Sequence, residues 1–470
     1  MTMTPTAPPA PPAPPPVAPA APARQAGPAP ARRGVPGRIR LLTGVAAAAL
    51  ALLFGAIAAG GATAGEGLRV IGRDAGPQVV ATAGLYFGLS DMDAQIADVL
   101  VMGSGDDARR QAAIKRYEQQ RTMANQALLK AFELAGDDPA ERRTIESVLD
   151  GLARYERLAA RALLLDEQSG HAAGPPPSGV VTVYREATDL MRQVLLPQAY
   201  NLTLESGTIV RRTYDETAVT LPLLRVAVVA AGLLAIGCLA WLQAFLARRF
   251  RRILGPALLA ATVVTLVATV TGASALQQDA DHLRTAKEEG FDSIVTLAKA
   301  RAIGNSMQGD QSRFLLDEER ADTYEHTYLD KAQRLLYLEA GNLGGYHAAV
   351  AGRDEDYRGM LGRQLGGDRG RAALDAWARF QRTDATLRAM ASGDRPAAAV
   401  ASRLGSVRDA FDAYDKELVT LAARHQAVFE RAVGAGQSAL DNLWRLLPFA
   451  IGGIGVLLVA GVWPRLKEYR

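Results

Sequence analysis

Apolar and polar positions along this chain vary on two length scales. On the long scale, residues 41–62, 226–246, 254–276 and 446–463 carry no formal charge. A bilayer core about 30 Å thick takes roughly 20 apolar residues of helix, so each stretch is long enough to cross one. Backbone polar groups in lipid must be satisfied within the segment, which selects helices. On the short scale, residues 66–221 and 277–444 are polar and show helical steps. Tyr117, Ala124, Leu128, Ala131 and Ala135 form one such series, and Ile145, Leu149, Leu152, Ala159 and Ala162 another. Strand-like alternation is missing from both regions. The expected fold is an all-α membrane protein with four transmembrane helices and two tandem extracytoplasmic four-helix bundles.

Helix breakers subdivide the polar regions. In the first, Gly103-Ser104-Gly105 should separate two helices. Gly136-Asp137-Asp138-Pro139 should end the second and start the third, with Asp138 as N-cap and Pro139 in the first turn. Gly174 to Gly179 precedes the fourth helix, which Pro197 should kink. In the second region breaks fall at Gly341 to Gly345, Gly366-Gly367 and Gly393 to Pro396. Its closing helix, from about Pro396, carries Val407, Phe411, Tyr414, Leu418 and Leu421 on one face.

Charge fixes an orientation. Arg248, Arg249, Arg251 and Arg252 crowd the loop 247–253 between the second and third spans, and a short loop that basic should stay cytoplasmic. Residues 1–38 form a Pro/Ala-rich arm, expected to be disordered, with Arg24, Arg32, Arg33 and Arg38 and no acidic residue. The arm and the tail 464–470 then lie inside, both polar regions outside, in a multi-pass plasma-membrane protein. Ala62-Thr63-Ala64 resembles a signal-peptidase site, but the long leader and long apolar stretch favour an uncleaved anchor.

The net charge of +4 gathers beside the spans, so it speaks for orientation and against nucleic acid as a partner. The single cysteine, Cys238, lies within a span and excludes a disulfide framework. The five histidines are scattered, and neither a phosphate loop nor a nucleophile motif occurs. No catalytic residue, metal ligand or cofactor site is therefore expected. Asp91-Met92-Asp93 and Asp317-Glu318-Glu319 read as solvated helix faces. The spans hold mainly Ala, Gly, Leu, Val and Thr, unlike an ion path. Gly232, Gly237, Gly452, Gly453 and Gly455 read instead as close helix contacts. The candidate ligand-binding residues are Arg154 and Arg157, with Arg379 and Arg382 in the second half. Each pair is three residues apart, beside Tyr155 or Phe380, and two guanidiniums on one face can clamp a carboxylate.

The halves repeat. Leu152-Ala153-Arg154-Tyr155-Glu156-Arg157 matches Trp377-Ala378-Arg379-Phe380-Gln381-Arg382, and each half runs span, polar region, span. This plan, with its basic inner loop and Pro/Ala leader, resembles the GlnX-type membrane proteins of actinobacteria. The polar regions resemble the four-helix ligand-binding domains of bacterial sensors. The first resemblance implies a link from an external glutamine/glutamate-binding lipoprotein to a cytosolic serine/threonine kinase, and it assigns no functional residue. The expected function is a non-enzymatic transmembrane sensor with these partners and the bilayer, in a chain that could also pair with a second copy as a homodimer. The alternative is a scaffold for assembly of the cell envelope.

Overall fold

The computed structural model describes residues 35–136, 138–250, 255–352, 358–362, 365, 368–393 and 395–467. The first 34 residues, Arg251, Arg252, Gly366 and Gly367 lie outside the described residues, as does the side chain of Arg249. Among the described residues the chain is helices joined by short turns, with no strand and one isolated antiparallel bridge between Tyr337 and Arg358.

The helices are α1 (Val35–Arg69), α2 (Ala75–Met102), α3 (Asp107–Leu134), α4 (Pro139–Ser169), α5 (Ser178–Leu190), α6 (Leu196–Phe250) and α7 (Pro256–Arg284). The second half continues with α8 (Asp292–Leu316), α9 (Ala321–Leu335), α10 (Leu343–Gly352), α11 (Asp368–Ser392), α12 (Pro396–Ser402) and α13 (Arg408–Lys467). Four pairs join end to end into rods, at Gly37–Met102, Ser178–Arg248, Pro256–Leu316 and Pro396–Pro464, each long and apolar enough to cross a membrane. The protein is thus a multi-pass helical membrane protein.

The breakers act as their chemistry requires. Gly103 ends α2 at φ 58°, a left-handed conformation that a Cβ would strain. Asp138 caps α4 by accepting from the backbone N–H of Ala140 and Glu141, with Pro139 in the first turn. Pro197 does not act alone. A π-helical turn, Met191–Leu195, ends one residue before it, with the Leu196 N–H bonding the Met191 carbonyl. Equivalent π-turns join the other three rods at Val70–Asp74, Thr285–Phe291 and Arg403–Val407. They recur in step with the duplication: every rod widens once between its apolar stretch and its polar end.

Three stacked cores result. Around the apolar stretches α1 packs on α6, α6 on α7, α7 on α13, and α13 returns to α1. Leu223, Val226, Leu233, Val263, Val270, Phe449 and Val456 remain exposed on this bundle, as a lipid-facing surface requires. Cys238 is half-buried within it. The close-contact glycines differ from expectation. A Cβ on Gly232 would strike Thr269, but Gly237, Gly452, Gly453 and Gly455 face open space. The crossings are instead made by Gly60 against Leu276, Gly272 against Ile57 and Gly461 against Leu258. Sequence counts small residues but does not say which side of a helix meets a neighbour. A polar residue also enters the second stretch: Gln243 donates to the Leu258 carbonyl and the Thr262 hydroxyl, across to α7.

The polar bodies depart from two separate bundles. The first has four helices in up-down order, α2, α3, α4 and α5 running into α6. The second breaks after Leu316, where no glycine or proline stands, and inserts the short α10. The two share one hydrophobic core, because α2 and α8 lie side by side at its centre. Residues 88–102 of α2 and 304–313 of α8 are buried on every side.

Candidate functional site

A helix buried all round has no face on which to leave a charge, so each buried polar group needs a partner. Asp91, Asp93 and Asp317, expected on solvated faces, are almost fully buried, whereas Glu318 and Glu319 are exposed as anticipated. Asp91 takes Arg116 at 2.8 Å. Asp93 is the most heavily used carboxylate. It accepts from Thr188 at 2.8 Å, Tyr155 at 3.2 Å and Tyr184 at 3.4 Å within its own half, and from Arg313 of the other half at 2.6 Å. Arg313 also reaches Asp310 at 2.8 Å, one turn away on α8, and Asp310 takes Lys331 of α9 on its other oxygen.

Further along, Asp98 of α2 accepts from Ser312 of α8 and from Arg403 in the π-turn before α13, the latter at 2.9 Å. Arg185 holds Asp317 with two N–H groups, and Arg320 holds Asp189 at 3.0 Å. On the far side of α8, Asp384 gathers Gln311 at 2.7 Å, Arg388 at 3.0 Å and His347 at 3.1 Å. The two halves therefore meet along a seam of ion pairs, buried at Asp93 and Asp98 and opening toward solvent at Asp189. Burial alone would raise the Asp310 carboxyl, but Lys331 and Arg313 outweigh it and hold it below the usual carboxylate range. Arg388 and His347 do the same for Asp384 against its own burial. Burial pushes the Lys331 ammonium down to about 8, against the pull of Asp310.

Beside the seam opens a cleft of about 740 Å³, within the range typical of small-molecule sites. One wall is Tyr86 of α2 with Arg192 and Tyr200 of the α5–α6 rod; the other is Lys299 of α8 with Lys331 and Arg334 of α9. Arg192 crosses the gap to the Thr327 hydroxyl at 3.2 Å, and the Lys299 ammonium stands 4.9 Å from the centre of the Tyr200 ring. The cleft is cationic, and its opposite walls belong to opposite halves.

The four arginines singled out by sequence lie elsewhere. Arg154 and Arg157 are exposed on α4, and Arg379 and Arg382 on α11. Tyr155 and Phe380, between them in sequence, are fully buried on the other helix face. Ring and guanidiniums do not line one surface in either half, and the structure brings neither pair to the cleft. Of the basic loop, Arg248 borders a shallow surface depression with Trp241. Among the described residues, no group of three or more His, Cys, Asp or Glu side chains is placed to hold a metal ion.

Nothing in local sequence marked the cleft, since Arg192, Lys299 and Lys331 sit singly among ordinary helical residues. A signal did exist for the seam. The run Leu89 to Met102 is apolar on all sides and carries three aspartates, which only a wholly buried, charge-paired helix can accommodate.

The fold and seam define a class: a duplicated helical membrane protein whose span-crossing rods carry a joined polar head. Residues 67–215, most of its first body, match the family model described as the actinobacterial sensor domain. That body is similar to such a sensor domain, a likeness that points to a sensing or signalling role. No curated protein and no solved structure matches the sequence.

Proposed function

We propose that this protein is a transmembrane sensor without chemistry of its own. Its joined polar head stands outside the plasma membrane, and its termini and basic loop stand inside. The head engages an external ligand, directly or through a ligand-loaded binding lipoprotein, and the rods pass the change to a cytoplasmic partner such as a serine/threonine kinase. The sensor-domain match supports the role. The resemblance of the whole plan to GlnX-type proteins supports the partners. The observation that carries the mechanism is the continuity of the rods, each running from the head through an apolar stretch with one π-turn between. Packed helices have discrete arrangements, so a shift at the seam emerges at the other end as a small translation or rotation. The π-turn is where a rod can change register at least cost.

Deletion in the native host tests the reading. A sensor should lose a nutrient-dependent phosphorylation response while the envelope stays normal. Altered division or envelope integrity with signalling intact would instead support an assembly scaffold. Accessibility labelling should find cysteines placed at Arg154 and Arg379 reachable from outside intact cells and one at Arg248 protected; the reverse pattern would overturn the orientation.

A further inference from the structure

We propose that the cleft between the two halves binds a small organic dianion, with one carboxylate met by Arg192 and the other by Lys299. This deepens the sensor reading and rests on it for its purpose. The argument begins with charge. Four cations line the cleft, Arg192, Lys299, Lys331 and Arg334, against one carboxylate, Asp330. Two of the four are matched: Lys331 pairs with Asp310 behind the wall, and Arg334 pairs with Asp330 at 2.8 Å. Arg192 and Lys299 make no ion pair among the described residues. Arg192 has the Thr327 hydroxyl and the Tyr324 ring, 5.4 Å away, and meets the Asp310 carboxylate, already held by Lys331 and Arg313, only at longer range. Lys299 has the Tyr200 ring, and burial together with Arg211 disfavours its charge.

A charge drawn out of water with no counter-charge costs free energy, and a concave cationic surface concentrates anions. The missing partner is therefore a mobile one, carrying two negative charges. The planar Arg192 guanidinium suits a carboxylate held by two N–H groups, and Lys299 supplies a point charge. In the same cleft the Tyr86 and Tyr200 rings, 6.1 Å apart, offer an apolar surface for a short carbon chain.

Location excludes a lipid headgroup as the occupant. Lys299 lies 23 residues past Leu276, the end of its apolar stretch. At 1.5 Å per residue that is about 35 Å of continuous helix. Location also gives occupancy a consequence. Arg192 leaves from the first half and Lys299 from the second, so a ligand holding both draws the α5–α6 rod, at its π-turn, toward the α7–α8 rod just beyond its own.

The test uses the full chain in nanodiscs and isothermal titration calorimetry at constant ionic strength. The probes are malonate, succinate, glutarate and adipate, with succinamide, propionate and inorganic phosphate for comparison. At least one diacid should bind, about 10-fold or more tightly than succinamide and propionate. Lys299→Gln and Arg192→Gln should each weaken that diacid by about 10-fold, and Lys299→Arg should restore most of the loss. As a measurement on the unaltered chain, the same diacid should shield Lys299 from acylation. Absence of diacid binding, binding indifferent to both substitutions, phosphate binding as tightly as the best diacid, or no shielding would each overturn the assignment. If diacids bind as expected but deletion of the protein leaves the cellular response intact, the sensor reading fails and the cleft stands. If diacids do not bind but the response persists, the cleft fails and the sensor stands.

Discussion

The two halves of this chain meet twice, and by opposite means. In the span bundle they touch through apolar side chains and glycines, with Thr269 settled against Gly232 and Ile57 against Gly272. In the polar head they meet through buried ion pairs, with Arg313 reaching Asp93 and Arg403 reaching Asp98. The difference follows from the competing environment. Segments in lipid gain nothing from burying more hydrocarbon, so close backbone approach and dispersion set their packing. In the head, apolar contact alone would hold α2 and α8 in many registers, whereas a carboxylate accepting from four side chains accepts only one. Buried pairs of this kind add little net stability over an apolar core, but they strongly penalise any arrangement that separates them.

Breaking the seam should have the largest effect. Asp93→Leu leaves Arg313 half-paired in a dry core, and a loss of about 3–5 kcal/mol is expected in denaturant unfolding of the purified protein. Adding Arg313→Met should recover a substantial part of it, because the uncompensated charge goes too. If the double variant is worse than the single by the full cost of a second deletion, the two residues are not coupled.

Overpacking the span contact should cost less. Gly232→Leu would drive a side chain into Thr269, for an expected loss of about 1–3 kcal/mol, while Gly452→Leu faces open space and should be nearly silent. Equal effects at both positions would contradict the helix order described here.

Acid separates the polar head from the span bundle in a single molecule. The folded-state pKa values of Asp310 and Asp384 lie below the ordinary carboxylate value, so their stabilisation is fully present above about pH 4. It is lost as pH falls through the lowered values. The ties that these two carboxylates make from α8 to α9 and α11 should loosen below about pH 4, and amide hydrogen exchange in those helices should rise there. Protection in α6 and α7 near Gly232, where no titratable group lies, should persist. The smallest effect is expected at Arg154→Ala and Arg379→Ala. Both residues are exposed, and each change should stay within about 0.5 kcal/mol.

The sequence by itself determined the periodic parts: four apolar stretches, helical bodies between them, the Asp138 cap and the doubled plan. These follow from hydropathy and turn chemistry acting over a few residues, and such interactions are written locally. Tertiary structure decided what depends on neighbours distant in the chain. It showed that Asp93 is a buried anchor, that Gly452 meets nothing, that the Arg154 pair looks outward, and that Arg192 and Lys299 line one cleft. A carboxylate on a helix looks the same in sequence whether it faces water or an arginine 220 positions away. Only the packing of α2 against α8 removes the water, and with it the ambiguity.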